Sequence, residues 1–346
     1  MDILRPLRGI CVLTLFISCA KLSYLTEQGI GQVKILTNAR ENKEVLSDPK
    51  IKQIDKEKIQ KISAYKKFFY EYWQKKPSNI YEKTTILNRD AVTYLVIASK
   101  PREIKAKKEC FPFYGCFPYL GFFKKESARE HVKQLEESGH ETYMRRVLAY
   151  STLGTFNDPI LSTFFLYDEY GLAETIFHEL FHTILFIDDE VDLNENLANF
   201  FGKAMVYKYF NQSKKLDKYY QQEKKYAFLR EEIVIQSKKL EEILSDEDWK
   251  SKKKRFVEVI FPESMKKKCD ELAIDNCWPV KLKWNSATFS AFNTYEKSQN
   301  EIKAFSESFS GDLKDLFQFV TKKYDKYRED DIEDTGKSFE KYLLGK

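Results

Sequence analysis

Two of the four histidines, His178 and His182, stand four residues apart, and Glu179 follows the first of them. Residues i and i+4 of a helix lie one turn apart on the same face, so both imidazoles can bind one metal ion. Glu179 would lie about 100° around the helix axis, where a carboxylate can accept a proton from metal-bound water. Apolar residues flank these positions and would bury the helix: Ile176, Phe177, Leu180 and Phe181. The pattern predicts a catalytic zinc site with Glu179 as the general base.

Two histidines leave a catalytic zinc ion one protein ligand short. The other histidines, His131 and His140, precede the motif in a charged segment and are expected at the surface. We therefore expect a carboxylate from the following helix, and Glu195 is the candidate because it opens a helical stripe. The earlier acids of segment 188–192 are expected in the connecting loop. The competing interpretation is a capping box, with Asp192 as N-cap and Glu195 at the third helical position.

The beginning of the chain resembles an export signal. Arg5 and Arg8 precede a short apolar run over residues 9–17, which is shorter than the roughly 20 residues that a membrane-spanning helix needs. A small residue then precedes Cys19, as in bacterial lipoprotein cleavage sites. This resemblance implies a signal peptide over residues 1–18 and a lipid on Cys19. The alternative is an ordinary secretory signal with an incidental cysteine, and either interpretation predicts an exported protein.

Export makes the cysteine content informative. Apart from the cysteine inside the signal and Cys19, the remaining cysteines form two close pairs: Cys110 with Cys116, and Cys269 with Cys277. In an oxidising compartment, such pairs predict two short-range disulfides. A four-cysteine zinc site would need CxxC spacings, which the sequence does not contain.

Length and composition exclude several classes of protein. The chain has 346 residues, enough for one large or two modest domains, and 58 basic residues nearly balance 53 acidic ones. Both signs are mixed along the chain, so the concentrated basic stripe of a nucleic-acid-binding protein is absent and no nucleic-acid partner is expected. The 27 Phe, 21 Tyr and 4 Trp residues are too many for a disordered chain.

Hydrophobic periodicity indicates the elements that must position the motif. Apolar spacing predicts two or three helices over residues 20–75 and a short helix over 125–138. The β-branched run 91–98 predicts a buried strand, and segment 147–166 predicts a strand, a turn and a second strand. Prolines and glycines within 110–123 exclude a helix there and indicate a stapled hairpin or loop.

From about residue 169 the chain is predicted to be mostly helical. An apolar stripe through a Lys/Glu-rich segment predicts a helical hairpin with one face on a core, and its members are Tyr226, Leu229, Ile233, Leu240 and Leu244. A partner-binding coiled coil is the alternative. The last helix is predicted over 311–327 with a frayed tail. We expect residues 19–168, with the N-terminal helices, small sheet and stapled loop, and residues 169–346 to form one catalytic unit.

The motif also carries a family resemblance. Segment 174–182, followed after twelve residues by Glu195 within Asn-Glu-Asn-Leu-Ala, is similar to the zinc motif of the putative aminopeptidase family of bacterial lipoproteins. Three other stretches match that family's pattern: 110–123, 149–164 and 285–295. The resemblance covers nearly the whole mature chain. The chain departs from the family at Phe181 and Thr183, where the family shows a small residue and a glutamine, and this difference concerns the substrate pocket.

This resemblance implies a zinc peptidase of the gluzincin kind, with one Zn²⁺ held by His178, His182 and Glu195. The implied fold is zincin-like: α+β and mostly helical, with a small sheet above the HExxH helix and a helical C-terminal portion. In such enzymes the substrate lies along an edge strand before the active helix, here within residues 150–165, and a Tyr or His commonly donates to the oxyanion. Two tyrosines of the family-like stretches, Tyr150 and Tyr295, are the candidate donors, and a buried structural role is the alternative for each.

The sequence thus predicts an exported, lipid-anchored bacterial envelope protein facing the periplasm, which hydrolyses peptide bonds and acts as an aminopeptidase. One alternative is a zinc endopeptidase that uses the same site. The other is a non-catalytic envelope lipoprotein with a structural zinc ion, which would need four protein ligands. The expected partners are a peptide substrate and, through the lipid, the membrane. The sequence leaves the oligomeric state open.

Overall fold

The computed structural model describes most of the chain, namely residues 22–111, 115–149, 157–188, 190–295, 305, 309–330 and 338–345. Helices make up most of these residues, and the strands are short and form three small sheets. The predicted α+β class, mostly helical with a small amount of sheet, is confirmed.

Three helices precede the first long strand, as the sequence predicts. They are α1 over residues 22–37, α2 over Asn42–Ser47 and α3 over Gln53–Trp73. The apolar stripe of α3 lies in the main core, where four of its side chains are at most 1% exposed: Ile59, Ile62, Tyr65 and Phe69. Helix α3 ends where Gln74 adopts a left-handed conformation with φ of 52°, which stops the helical hydrogen bonding.

The described residues form eight strands: β1 (Arg40–Glu41), β2 (Lys83–Thr85), β3 (Thr93–Ser99), β4 (Glu109–Phe111), β5 (Gly115–Phe117), β6 (Leu120–Phe122), β7 (Glu141–Val147) and β8 (Ile160–Leu161). The first sheet has the order β1-β2-β8, the second β6-β3-β7, and the third pairs β4 with β5. Strand β3 is the predicted buried strand, and it is central in the second sheet with antiparallel neighbours on both sides. Helix α4 (Lys125–Glu137) packs on this sheet.

Both predicted disulfides are present. Cys110 and Cys116 face each other across the antiparallel pair β4–β5, so their bond staples the predicted hairpin. Cys269 and Cys277 join the last turn of helix α9 (Phe261–Glu271) to the segment that follows it.

The strand, turn and strand predicted over 147–166 are only partly present. Strand β8 has two residues, and a 3-10 helix over Ser162–Leu166 replaces the rest of the second strand. Hydroxyl groups explain the change, because Ser162 Oγ accepts a hydrogen bond from the Leu87 amide and Thr163 Oγ1 donates to the Leu148 carbonyl. Side chains thus bind backbone groups that a longer strand would otherwise have to pair with. Residues 150–156 lie outside the described part of the chain.

The HExxH segment forms helix α5 (Glu169–Phe181), which packs between α3 and helix α6 (Val191–Phe210) in the main core. Asp168 caps α5, because its side chain accepts a hydrogen bond of 2.8 Å from the Gly171 amide. The Lys58 ammonium of α3 donates to the carbonyl groups of Phe165 and Tyr167, just before α5. The segment that leads into α5 is therefore attached to α3, and the first turn of α5 is capped by its own N-cap residue.

A second core holds the helices that follow α6. It is built by α7 (Lys214–Ser245), α8 (Trp249–Arg255), a π-helical stretch over Phe256–Ile260, α9 and α10 (Ser286–Tyr295). The predicted apolar stripe of α7 is buried here, with Leu229, Ile233, Leu240 and Leu244 at most 4% exposed. Packing of α7 against α8, α9 and α10 confirms the predicted helical hairpin on a core.

The end of the chain differs from the prediction of a frayed tail. After helix α11 (Leu313–Glu329), a short helix α12 (Phe339–Leu343) returns to the main core. Phe339 is 1% exposed, and its ring contacts the rings of Tyr324 and Tyr327 on α11. The expected fraying is wrong for α12 because its apolar side chains have a binding surface on α11 that charge composition does not reveal.

A buried ion pair ties the second sheet to the C-terminal helices. The Lys253 ammonium of α8 lies 2.7 Å from both carboxylate oxygens of Glu141 on β7, and it also donates to the Pro101 carbonyl and to Ser286 Oγ. The Ser286 amide of α10 donates to the same Glu141 carboxylate. Burial lowers the pKa of Lys253, and the Glu141 carboxylate opposes this shift. Three elements thus depend on one buried charge.

We expect Lys253→Met to reduce the free energy of unfolding by about 3–5 kcal/mol, because it leaves the Glu141 carboxylate partly buried without its cation. The matched control is Lys252→Met, since Lys252 pairs with Asp246 at the surface and such pairs contribute about 0–1 kcal/mol. Urea denaturation of both variants measures the difference. Equal losses would contradict a special role for the buried pair.

Candidate metal centre

Helices α5 and α6 run back along each other. Glu195, near the start of α6, contacts the histidines near the end of α5, whereas Gly202, two turns later, approaches Glu174 and the backbone of His178. Their contact is very close, because a Cβ atom at Gly202 would lie 3.0 Å from the His178 nitrogen and 3.3 Å from the Glu174 carbonyl oxygen. Glycine at this position therefore allows the approach of the two helices.

The loop between the helices is closed by one side chain. Asn194 is 4% exposed; its Oδ1 accepts from the Ile187 amide at 2.9 Å, and its Nδ2 donates to the Ile187 carbonyl at 2.7 Å. Both backbone groups of a buried loop residue are thus satisfied by the residue directly before Glu195. This pair of hydrogen bonds fixes the position of the first turns of α6 relative to the end of α5.

Three donor groups converge where the helices meet. His178 Nε2 lies 3.2 Å from His182 Nε2, and Glu195 places one carboxylate oxygen 3.3 Å from the former and the other 3.5 Å from the latter. In the part of the chain that the structure describes, these residues form a group able to hold a metal ion. A tetrahedral zinc ion with bonds of about 2.0–2.1 Å separates its ligand atoms by roughly 3.3 Å. Both the donor types and their separations therefore fit zinc.

Electrostatics in this group favour a cation between the ligands. Burial disfavours the charged form of His178, but its hydrogen bond to Glu195 and the charges of Glu179 and Glu195 outweigh burial and raise its pKa. Burial alone would raise the pKa of Glu195, but the hydrogen bonds and charges of His178 and His182 hold it well below its usual range. The carboxylate is thus held in the ionised form that a metal requires.

The ligands belong to a longer polar seam between the two helices. On α5 the seam continues from His178 to Glu174, and on α6 it continues from Glu195 to Asn199 and Lys203, at four-residue spacing in both cases. Asn199 hydrogen-bonds to His178, and Glu174 accepts a 3.3 Å hydrogen bond from the Tyr220 hydroxyl. Burial raises the pKa of Glu174, and the Lys203 charge opposes that shift. Sequence reasoning missed Asn199 and Glu174, although their spacing from the ligands was a usable signal.

Glu179 lies on α5 beside the donor group and is 9% exposed. Burial raises the pKa of both Tyr81 and Tyr167, and the Glu179 charge raises each further, so its carboxylate lies near both rings. Tyr81 has a left-handed backbone with φ of 63°. Its amide donates to the Asp158 carbonyl, and its own carbonyl accepts from Asn42. This strained tyrosine, which the sequence alone did not indicate, packs near the predicted base.

The end of α5 is also attached to α3. The Tyr70 hydroxyl lies 2.7 Å from Thr183 Oγ1 and 2.5 Å from Ser78 Oγ. Thr183 directly follows the ligand His182, and its hydroxyl donates to the Leu180 carbonyl. Thr183, at which the chain departs from the family's motif, therefore has a hydrogen-bond partner in Tyr70 of α3.

The structure brings the three predicted ligands together and contradicts the capping-box interpretation of Glu195. Helix α6 begins at Val191 with Glu190 as N-cap, so Glu195 lies in the second turn rather than at the third position. The capping box with Asp192 is therefore wrong, as is the expectation that Asp192 lies in the loop.

The other predicted site residues remain predictions. Cys19 and Tyr150 lie outside the described residues. Tyr295 is the last residue of α10, and its side chain is not among those described. His131 is not at the surface as expected, because it is half-buried against the Phe122 ring at 5.2 Å, and burial lowers its pKa.

Comparison with known proteins identifies the family. The model of a family described as putative aminopeptidase matches residues 23–332, which include α5, α6 and the whole metal centre. The chain belongs to this aminopeptidase family. Neither the curated proteins nor the solved structures give a match to the chain. The family assignment therefore rests on the family model alone.

We expect Glu195→Ala to lower zinc affinity by roughly 100-fold or more, because it removes one of three ligands. Zinc content after dialysis against a weak chelator measures this loss. Glu190→Ala is the matched control, since that side chain accepts a hydrogen bond from the Glu340 amide and does not contact the histidines. Full zinc occupancy of Glu195→Ala would show that the glutamate is not a ligand.

Gly202→Ala should separate α5 from α6, because the new Cβ meets backbone atoms that cannot move independently. We expect a loss of about 1–3 kcal/mol in stability and about 10–100-fold in zinc affinity, as for other supporting residues. Gly29→Ala is the control, because nothing lies within 4 Å of its Cβ position and alanine favours a helix by about 1 kcal/mol. Unchanged zinc affinity in Gly202→Ala would contradict the required close approach.

Proposed function

We propose that this chain is a zinc-dependent peptidase that removes residues from the N-terminus of peptides in the bacterial cell envelope. The observation that supports it most is the convergence of His178, His182 and Glu195 beside a buried glutamate, in a chain of the aminopeptidase family. Family membership supports the reaction class, and the donor group supports the metal.

The residues have distinct roles in this proposal. His178, His182 and Glu195 would hold the ion, which when bound would supply polarisation of the scissile carbonyl and acidification of a water molecule. Glu179 accepts the proton of the attacking water and then donates it to the leaving amine. Its buried position beside the donor group and the apolar residues around it exclude bulk water, which strengthens this proton transfer.

The position of α5 explains how these roles can be kept apart. The two histidines of α5 contact Glu195 of α6, whereas Glu179 lies about 100° around the α5 axis from His178. The base is thus close to the donors without being one of them. Tyr150 and Tyr295 remain the proposed oxyanion donors, on the strength of their family-like segments.

Two other functions use the same centre and are separated by experiment. An endopeptidase would cleave peptides with blocked N-termini as well as free ones. A structural zinc site needs four protein ligands, whereas three residues make up the group found within the described ranges. Three protein ligands leave one position for water, and this favours a catalytic centre.

In this proposal the protein is exported from the cytoplasm, is anchored to a membrane by a lipid on Cys19, and faces the periplasm. The support is the basic and apolar beginning of the chain followed by a small residue and a cysteine. Two disulfides agree with an oxidising compartment. Incorporation of a labelled fatty acid into the parental chain, and not into Cys19→Ser, tests the lipid separately from activity.

We expect Glu179→Gln to keep zinc and fold but to lower peptide hydrolysis by about 10²-fold or more, because an amide cannot accept the proton. Glu169→Gln is the matched control in the first turn of the same helix, where the side chain pairs with Lys61 at the surface. The assay compares a peptide with a free N-terminus and its acetylated form. Hydrolysis at the parental rate by Glu179→Gln would exclude this residue as the base, and equal cleavage of the two peptides would exclude an aminopeptidase.

A further inference from the structure

Helix α1 presents an apolar face to solvent. Four of its large apolar residues are exposed: Leu22 by 63%, Leu25 by 38%, Ile30 by 51% and Val33 by 57%. At 100° per residue these four positions fall within an arc of about 140°. The remaining residues of that arc are uncharged, and they are Thr26, Gly29, Leu36 and Thr37. We call this set of eight residues the α1 stripe.

The two threonine hydroxyl groups of the α1 stripe are hydrogen-bonded within the helix rather than directed only to solvent. Thr26 Oγ1 donates to the Leu22 carbonyl at 2.8 Å, and Thr37 Oγ1 donates to the Val33 carbonyl at 2.9 Å. Each hydroxyl is thus bound to the backbone of its own helix, as is common for threonine in apolar surroundings. The surface that remains outward is formed by methyl and methylene groups.

The opposite face of α1 fixes the direction of the stripe. Tyr24 stacks on Phe111 at 5.4 Å, and Gly31 packs so closely on Phe123 that any Cβ there would overlap the ring. The Ile35 carbonyl accepts a 2.8 Å hydrogen bond from Thr85 of β2. Because α1 is held at both ends, it cannot turn its apolar face inward.

We infer that the α1 stripe lies in the interface of an anionic lipid bilayer, independently of any lipid on Cys19. A helix with one apolar and one polar face binds in this way, with its axis in the plane of the membrane. None of the described helices is long and apolar enough to cross a bilayer, and α1 would not need to cross it.

Charge and position select the bilayer over other occupants. Lys34 borders the α1 stripe and Lys124 lies beside α1, where its amide donates to Glu27; both lysines are exposed. Basic residues around an apolar helical face add attraction to anionic headgroups. The stripe also begins three residues after Cys19, so a lipid there would bring the start of α1 to a membrane.

The test uses the chain from residue 19 onward, carrying Cys19→Ser. The substitution removes the lipid, and the shorter chain lacks the apolar run 9–17, which could itself bind a bilayer. Binding is measured by co-sedimentation with vesicles of phosphatidylglycerol and phosphatidylethanolamine, and with vesicles of phosphatidylcholine alone. We expect binding to the anionic vesicles and weaker binding to the neutral ones. No binding to either would overturn the inference.

The decisive variant replaces Leu22, Ile30 and Val33 by serine. We expect it to bind anionic vesicles at least tenfold less, since three outward apolar side chains are lost. The matched control replaces exposed apolar residues elsewhere by serine: Ile54, Val259 and Ile260, which are 61%, 46% and 41% exposed. It should change binding less than twofold, and equal losses in the two variants would overturn the inference.

Two further readouts keep the result interpretable. An environment-sensitive dye attached to Val33→Cys should report an apolar environment when anionic vesicles are added, whereas the same dye on Ile54→Cys should not. The Val33→Cys variant changes one residue and leaves the other seven residues of the α1 stripe intact. The main competing occupant of the stripe is a second copy of the chain, and analytical sedimentation without lipid measures it. A dimer that the triple variant abolishes would assign the stripe to a second copy and overturn the inference. Peptide hydrolysis is assayed on the same samples, so failure of the proposed peptidase function would be seen separately.

Discussion

The close approach of α5 and α6 is the constraint on which the metal centre depends. Helix α5 supplies two donors and α6 supplies the third, so a change in the distance between the helices alters both separations from Glu195 to the histidines. Gly202 allows the contact, and the Asn194 side chain holds the connecting loop by both backbone groups of Ile187. The remaining core, including the tie from Tyr70 to Thr183, keeps α5 in place while α6 lies against it.

The sequence predicted the parts of the centre that are local. His178, Glu179 and His182 lie on one helix, so their relation follows from helical geometry alone. Glu195 was predicted as a ligand on a different ground, because a catalytic zinc ion needs a third protein ligand and no histidine follows the motif. The structure places Glu195 beside both histidines, and it begins α6 at Val191, so Asp192 is not the N-cap that the local interpretation required.

Long-range partners explain what the sequence did not reveal. Tyr81 is about a hundred residues before Glu179, and the 3-10 helix after β8 depends on a hydroxyl contact with Leu87. Helix α12 is similar: charge patterning indicated a frayed tail, but Phe339 packs on the tyrosines of α11. In each case the deciding partner is distant along the chain, where periodicity carries no information.

The double hydrogen bond of Asn194 has a consequence for how the candidate centre would acquire a metal ion. The two hydrogen bonds between Asn194 and Ile187 tie the start of α6, which carries Glu195, to the segment that follows His182. A centre whose ligand-bearing segments are ordered in this way during folding would lose little further conformational entropy on binding a metal ion. Such a preorganised centre differs from small zinc domains, which are unfolded until the metal binds. Exchange of the ion would therefore be a local event that leaves both cores intact.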